Sequence, residues 1–223
     1  MKLRVLTINL YNGRADPDSL AAALDRHKPD VVAAQELSAN AAEILEAWSI
    51  SSYMDPRDDL TGMGIAARQA ATFERLSFPN RQPVVAKLDR AAWDLPTDVE
   101  VVNAHLVNPI ARPLPQSRRL RTAELTALHD LLANRAESTG RILVGDLNSS
   151  PAWPLYRQLA KLATDAAVAA GTARRTWGPR PASPRLLRID HAFVQGLVPT
   201  QTTLVPIKGS DHTGLLVDVG FDR

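Results

Sequence analysis

The stretch Ile142-Leu143-Val144-Gly145-Asp146-Leu147-Asn148 places the tightest constraint on how this chain can fold. Three β-formers in succession describe a buried strand. Gly145 is expected to end it, because a residue without Cβ lets the backbone turn without a clash. Asp146 and Asn148 then stand one residue apart at the exit, with their side chains on the same side. A carboxylate and an amide presented together can hold a water, a metal or a phosphate oxygen. The same pair also suits an Asx-turn that caps the next helix.

Similar strand ends recur along the 223 residues. Residues 3–10 alternate as a strand and run into the turn cluster Asn9, Tyr11, Asn12 and Gly13. Asp16-Pro17-Asp18-Ser19 starts a helix with Leu20, Ala23, Leu24 and His27 facing inward. Residues 31–35 form a short buried strand that delivers Glu36. Ser38 is expected to cap a second helix striped by Ala41, Ile44, Leu45 and Trp48. The pattern from 51 to 88 is mostly β, and 99–106 alternates while carrying Asn103 and His105. A helix is predicted from about 117 to 135, with Leu125, Leu128, Leu131 and Leu132 as its core. Arg118, Arg119 and Arg121 lie near its start, where cations oppose the macrodipole; they either meet an anion or line a solvated face. Later strands are predicted at 141–144, 186–194, 202–205 and 215–219, with a helix around 153–162. Strands alternating with helices imply α/β architecture, and the hairpin-rich middle argues against a purely parallel sheet. No repeat, low-complexity segment or linker stands out, so residues 1–223 are expected to form one domain.

An apolar fraction of 45% and a charged fraction of 22% suit a soluble globular protein. No apolar run is long enough to cross a bilayer. The N-terminus enters strand pattern directly, without an h-region or small-residue cleavage site, from which a cytoplasmic location is expected. The absence of cysteine excludes disulfides, thiolate metal sites and cysteine nucleophiles. The net charge of +2 hides an asymmetry: residues 1–111 hold 11 Lys/Arg against 15 Asp/Glu, and 112–223 hold 15 against 9. Most of the cations are Arg, which grips phosphate bidentately and so favours an anionic substrate.

Polar residues with acid, base, amide or ligand chemistry fall at six strand exits: Asn9; Glu36; Asn103 with His105; Asp146 with Asn148; Asp190; and Asp211 with His212. In sheet enzymes one set of strand ends often forms the site. In order and spacing this set resembles the endonuclease/exonuclease/phosphatase superfamily, which holds pancreatic-type DNase, abasic-site endonucleases, inositol-polyphosphate phosphatases and neutral sphingomyelinases. Thr7-Ile8-Asn9-Leu10, Gln35-Glu36, Asn103-Ala104-His105-Leu106 and Gly145-Asp146-Leu147-Asn148 resemble the first four motifs. Arg188-Ile189-Asp190-His191 and Ser210-Asp211-His212 resemble the last two. The resemblance spans nearly the whole chain. It implies a four-layer α/β sandwich, two mixed and mainly antiparallel sheets flanked by helices.

The resemblance also implies roles. Glu36 would hold a divalent cation, Mg²⁺ with Mn²⁺ as substitute, with Asn9 and Asp211 as further ligands, since such cations prefer oxygen. Asp190 would orient His212, and that dyad either activates water or holds the phosphate. Asp146 is the other candidate base, with Asn148 positioning the water or a phosphoryl oxygen. His105 would stabilise phosphoryl oxygens or protonate the leaving oxygen. Asn103, Arg174, Arg175 and Trp177 are expected at the substrate; Trp177 either stacks on a base or packs under its Pro-rich loop. The implied activity is metal-dependent phosphoester hydrolysis, with DNA as the first substrate. The runner-up is a phosphatase or phosphodiesterase acting on a small phosphorylated molecule or lipid head group. A non-catalytic phosphate-binding module is opposed by the competent residue at every motif position. No obligate protein partner is evident.

Two departures narrow the branch. The abasic-site enzymes usually carry Tyr where this chain has His105, and the carboxylate partner that DNase-type enzymes give this His is not found in 62–68. Thr213-Gly214 also replaces the Pro that often follows the last motif.

Overall fold

The computed structural model describes residues 1–110 and 113–221. In chain order the elements are β1 (Leu3–Asn9), α1 (Pro17–His27), β2 (Val31–Gln35), α2 (Ala39–Trp48), β3 (Ser51–Asp55), β4 (Met63–Ala67), β5 (Thr72–Arg75), β6 (Val84–Leu88) and β7 (Asp98–Asn103). There follow α3 (Leu114–Ala133), β8 (Thr139–Asp146), α4 (Pro154–Leu159), β9 (Thr164–Asp165), α5 (Ala166–Ala169), β10 (Asp190–Gln195), β11 (Val198–Pro206) and β12 (Thr213–Gly220). They make two six-stranded sheets, ordered β11-β12-β1-β2-β4-β3 and β5-β6-β7-β8-β10-β9. Each sheet has one parallel pair at its centre, β1 with β2 and β7 with β8, joined across α1 and α3 respectively. Every other pairing is antiparallel. The two sheets therefore share one order of pairings, a repeat of topology without a visible repeat of sequence.

Period-2 alternation sorts the central strands into layers. Leu3 and Val5 of β1, Val99 and Val101 of β7, and Ile142 and Val144 of β8 pack between the sheets. Leu6 and Ile8 turn the other way onto Leu20 and Leu24 of α1 and Leu45 of α2. Val102, Leu143 and Phe193 meet Leu128 and Leu132 of α3 and Leu159 of α4. The result is the four-layer α/β sandwich, with central strands buried on both faces.

Several boundaries differ from expectation. The helix α3 begins at Leu114, because Pro113 and Pro115 are tolerated at a helix start. Residues 186–189 are a loop, bridged to Trp177, and β10 begins only at Asp190. Ser38 sits at the N-cap of α2 without a side-chain capping bond. Gly145 does not end its strand, since β8 continues to Asp146. Its φ is 138°, and a Cβ there would lie 1.8 Å from the Ala104 carbonyl oxygen. The glycine serves a close backbone approach, not a turn.

The most consequential difference concerns direction. Asp190 stands at the start of β10, and Asp211-His212 just before β12, not at strand exits. Because β10 pairs antiparallel with β8, with Asp190 opposite Asp146, its start meets the exit of β8. The antiparallel β12 does the same beside β1. All six motifs thus arrive at one edge of the sandwich.

Candidate active site

At this edge Asp146 is the hub. Its Oδ1 accepts the Asn148 backbone N–H at 2.8 Å, and its Oδ2 accepts from Asn9 Nδ2 at 3.2 Å and Asn148 Nδ2 at 3.3 Å. His105 Nε2 lies 3.6 Å and His212 Nε2 3.7 Å from the same oxygen. Asn148 has φ 45° and Glu36 φ 52°. Asn tolerates the left-handed region, whereas Glu there stores strain of a kind that clusters at functional sites. Asn9 Nδ2 also donates to Glu36 Oε1 at 3.1 Å, so one amide aligns two carboxylates.

The other half of the site comes from the loops before β10 and β12. His212 Nδ1 lies 2.9 Å from Asp190 Oδ2, leaving Nε2 toward Asp146. Thr176 Oγ1 accepts the Ile189 and Asp190 backbone N–H groups. Ser210 Oγ donates to the Asn9 carbonyl at 2.8 Å and accepts from the His212 N–H, tying the β1 exit to the dyad. Trp177 Nε1 donates to Asp211 Oδ2 at 3.0 Å, and its backbone is bridged to His212. A cavity of about 330 Å³ opens over this floor, walled by Tyr11, Leu60, Ile110, Trp153 and Trp177.

Burial and charge set the protonation states. Burial pushes the Asp146 carboxyl up to about 7, against the His212 charge and with the repulsion of Asp190. Burial also raises Glu36 and Asp211. For His212 burial acts downward, but the flanking Asp190 and Asp146 carboxylates outweigh it and raise its pKa to about 10. It is an imidazolium at neutral pH. His105 goes the other way: burial, then Arg81 and His212, hold it well below 6.5 and neutral. Its Nδ1 has no hydrogen-bond partner, in keeping with the missing second dyad.

Crowded carboxylates that resist ionisation want a cation. Asp146, Asp190 and His212 each offer an atom within 4.8 Å of the others, but His212 is committed to Asp190 and protonated. Glu36 Oε2 and Asp211 Oδ1 are instead buried with no hydrogen-bond partner, although His212 Nε2 lies 4.0 Å from the latter. Those hard oxygen donors fit a divalent metal.

The expected substrate residues divide. Asn148 and Trp177 line the cavity. Arg174 and Arg175 are exposed and lie outside its lining, because the loop that carries them turns its Thr176 and Trp177 inward. Asn103 is wholly buried: its Nδ2 donates to the Ala34 and Gly64 carbonyls, and its Oδ1 accepts from Gln35 Nε2 at 2.6 Å. It ties β7 to the opposite sheet beneath the site and does not reach the cavity. Asn9, expected as a metal ligand, accepts the Tyr11 N–H on its Oδ1 and donates through Nδ2 to Glu36 and Asp146.

Two contributors, Arg81 and Glu124, were not legible as site residues, and Arg121 had only an ambiguous signal. Arg81 lines the cavity from the 76–83 connection. Glu124, fully buried on α3, accepts the Val107 N–H on both oxygens at 3.1 Å, while Arg121 Nη1 donates to the Val107 carbonyl at 2.7 Å. Together they clamp the irregular segment that follows His105. The cations flagged at the start of α3 thus split: Arg121 turns inward, and Arg118 and Arg119 are exposed.

The motif order, the two-sheet sandwich and the polar edge agree with a match to the endonuclease/exonuclease/phosphatase family model over residues 6–212. The chain belongs to this family, whose chemistry is the hydrolysis of phosphate esters. No curated protein matches the sequence significantly. Among solved structures, humanized D. rerio TDP2 carrying 14 mutations superposes with a TM-score of 0.78 at 21% identity, covering 98% of this chain and 99% of that one. D. rerio TDP2 complexed with single-strand DNA product gives 0.78 at 19%, covering 98% and 99%. A functionally unknown protein from Enterococcus faecalis V583 gives 0.77 at 18%, covering 99% and 100%. At such identities the likeness speaks for the fold.

Proposed function

We propose that the chain is a single catalytic unit that hydrolyses phosphodiester bonds of DNA with the aid of Mg²⁺ or Mn²⁺. The observation that carries this reading is the edge where Asp190 and Asp146 flank the His212 imidazolium while Glu36 Oε2 and Asp211 Oδ1 stand without hydrogen bonds. Glu36 and Asp211 would hold the metal, which when bound neutralises charge on the phosphoryl oxygens. His212, kept charged by Asp190, would stabilise the negative charge that develops at phosphorus. Being already protonated, it leaves the water's proton to Asp146, whose pKa of about 7 suits a general base. Asn148 would position that water, and neutral His105 would donate a hydrogen bond to a phosphoryl or leaving oxygen. Trp177 and Trp153 offer flat apolar surfaces for a base. Binding of single-strand DNA product by the D. rerio protein supports nucleic acid as the ligand.

A second reading has one observation in its favour. The cavity of about 330 Å³ is walled by apolar and aromatic side chains, a size that also suits a small phosphate ester. Plasmid DNA incubated with Mg²⁺ or Mn²⁺, beside a panel of phosphate esters, separates the two. Nicking that EDTA abolishes is the expected result. Intact plasmid with turnover of the esters would replace the nuclease reading by the second.

A further inference from the structure

One cation at the site has no assigned partner. Arg81 lies between β5 and β6, half-buried, and its Nη1 donates to the Leu106 carbonyl at 3.2 Å. Its Nε is buried without a hydrogen bond. Nη2 makes no described hydrogen bond, so the side of the guanidinium formed by Nε and Nη2 is uncommitted. Among the described residues no carboxylate forms an ion pair with it. Asp146, Glu36, Glu124 and Asp59 act on it only from a distance. A guanidinium does not give up its proton to escape partial burial, and a half-buried charge is favoured when it is paired.

Its position says what would pair it. Arg81 is shared by two cavities: the catalytic one, beside Glu36, His105 and Asp146, and a polar groove of about 370 Å³ that also holds Arg57 and Arg75. Arg57 and Arg75 both face Asp55, at 2.9 and 3.5 Å, and so are largely committed. Arg81 is not. The bond from Nη1 holds it to the Leu106 carbonyl, next to His105, while the side chain lines both cavities. Two adjacent N–H donors in a rigid plane match two oxygens of one phosphate, a fit that Lys does not reproduce.

We propose that Arg81 is the phosphate receptor of this site, its free Nε and Nη2 side taking two oxygens of one substrate phosphate where the catalytic cavity meets the groove. The assignment rests on the phosphoester reading of the pocket. The phosphate is either the group under attack or its neighbour along a polyanionic chain, and the chemistry of recognition is the same. Arg81, not Arg174 or Arg175, is then the arginine that meets substrate.

Arg81→Met and Arg81→Lys test this, with the melting temperature as control; the Leu106 carbonyl keeps its bond from Asn148 Nδ2 in both. Inorganic phosphate titrated into the Mg²⁺-loaded protein should bind at least about tenfold more weakly to R81M, with R81K recovering only part, since it keeps the charge and loses the fork. The salt dependence of KM for a single-stranded oligonucleotide should flatten by about 0.7 in log–log slope, the signature of one lost phosphate contact. A one-phosphate diester, bis(p-nitrophenyl) phosphate, separates the sources. Loss of kcat/KM with it assigns Arg81 to the reacting phosphate, and loss confined to the oligonucleotide assigns it to the neighbour. Equal phosphate affinity in wild type and R81M overturns the assignment. If wild type hydrolyses no substrate, the phosphoesterase reading fails, and the phosphate titration still decides Arg81.

Discussion

Two buried charge clusters sit on adjacent residues of one strand and behave in opposite ways. Asp190 opens β10 toward the active edge. His191 turns to the other face of the sheet, where Arg188, Asp165 and Tyr156 gather. There Asp165 Oδ2 accepts from Arg188 Nη1 at 2.7 Å and from the Tyr156 hydroxyl at 2.8 Å, while Oδ1 caps α5 through the Ala167 and Val168 N–H groups. Burial pushes the Asp165 pKa up, but His191 and Arg188 outweigh it and hold the carboxyl below its ordinary range. At the active edge burial prevails, and Asp146, Glu36 and Asp211 are all raised. Both clusters contain Asp, His and burial. A cavity touches each cluster, and what separates them is whether each carboxylate oxygen has a hydrogen-bond donor. The active edge is the cluster for which a cation and a phosphate are proposed; the other ties β9, α4 and β10 together.

Substitutions should cross these roles. His212→Ala should lower kcat by about a thousandfold or more, the scale expected for removing a principal electrostatic or acid–base group, while the melting temperature moves little. A collapse in stability would place His212 with the structural cluster instead. Arg188→Leu should do the converse, leaving the buried Asp165 without its guanidinium partner at a cost of about 3–5 kcal/mol. Its kcat per folded molecule should stay within a few-fold of wild type, as denaturant titration and active-site-normalised kinetics would show. Glu124→Ala should cost about tenfold in kcat by releasing Val107 and the segment after His105, with Glu124→Gln restoring most of it because one acceptor oxygen remains. Equal losses in both variants would remove Glu124 from any positioning role.

The smallest effects should appear in stability against pH, measured without added metal, and their signs are opposite. Asp165 is depressed, so its contribution is complete above the unfolded pKa near 3.8 and fades as pH falls below it; Asp165→Asn should flatten that acid limb. Asp146 is raised to about 7, so the folded chain keeps a proton that the unfolded chain has released. Stability should therefore decline as pH rises from about 4 to about 7, and Asp146→Asn should lessen that decline, to which the raised Glu36 and Asp211 also contribute. Matching slopes in the two variants would erase the distinction between the clusters.

The amino-acid sequence by itself determined what local pattern can determine. Alternating apolar residues set the strands and their two buried faces, Asp16 marked a helix start that its side chain caps at Ser19, and motif order pointed to the family. Asp146, Asn148, His105, Asp190, His212 and Glu36 were legible because each stands beside a strand end within its own few residues. Only the tertiary structure decided which of their neighbours join them. Antiparallel pairing turned the starts of β10 and β12 into partners of the exits of β1 and β8. Asn103 was taken from the substrate by carbonyls of the opposite sheet, and Arg81 and Glu124 were brought in from a loop and a helix with no motif to mark them. A polar side chain's role is set by the donors and acceptors it meets across the chain, and hydrogen bonds between residues 27 to 201 apart leave no trace in local spacing. Asp190 and His191 stand side by side in sequence, and the strand's alternation sent one to the candidate site and the other to the scaffold.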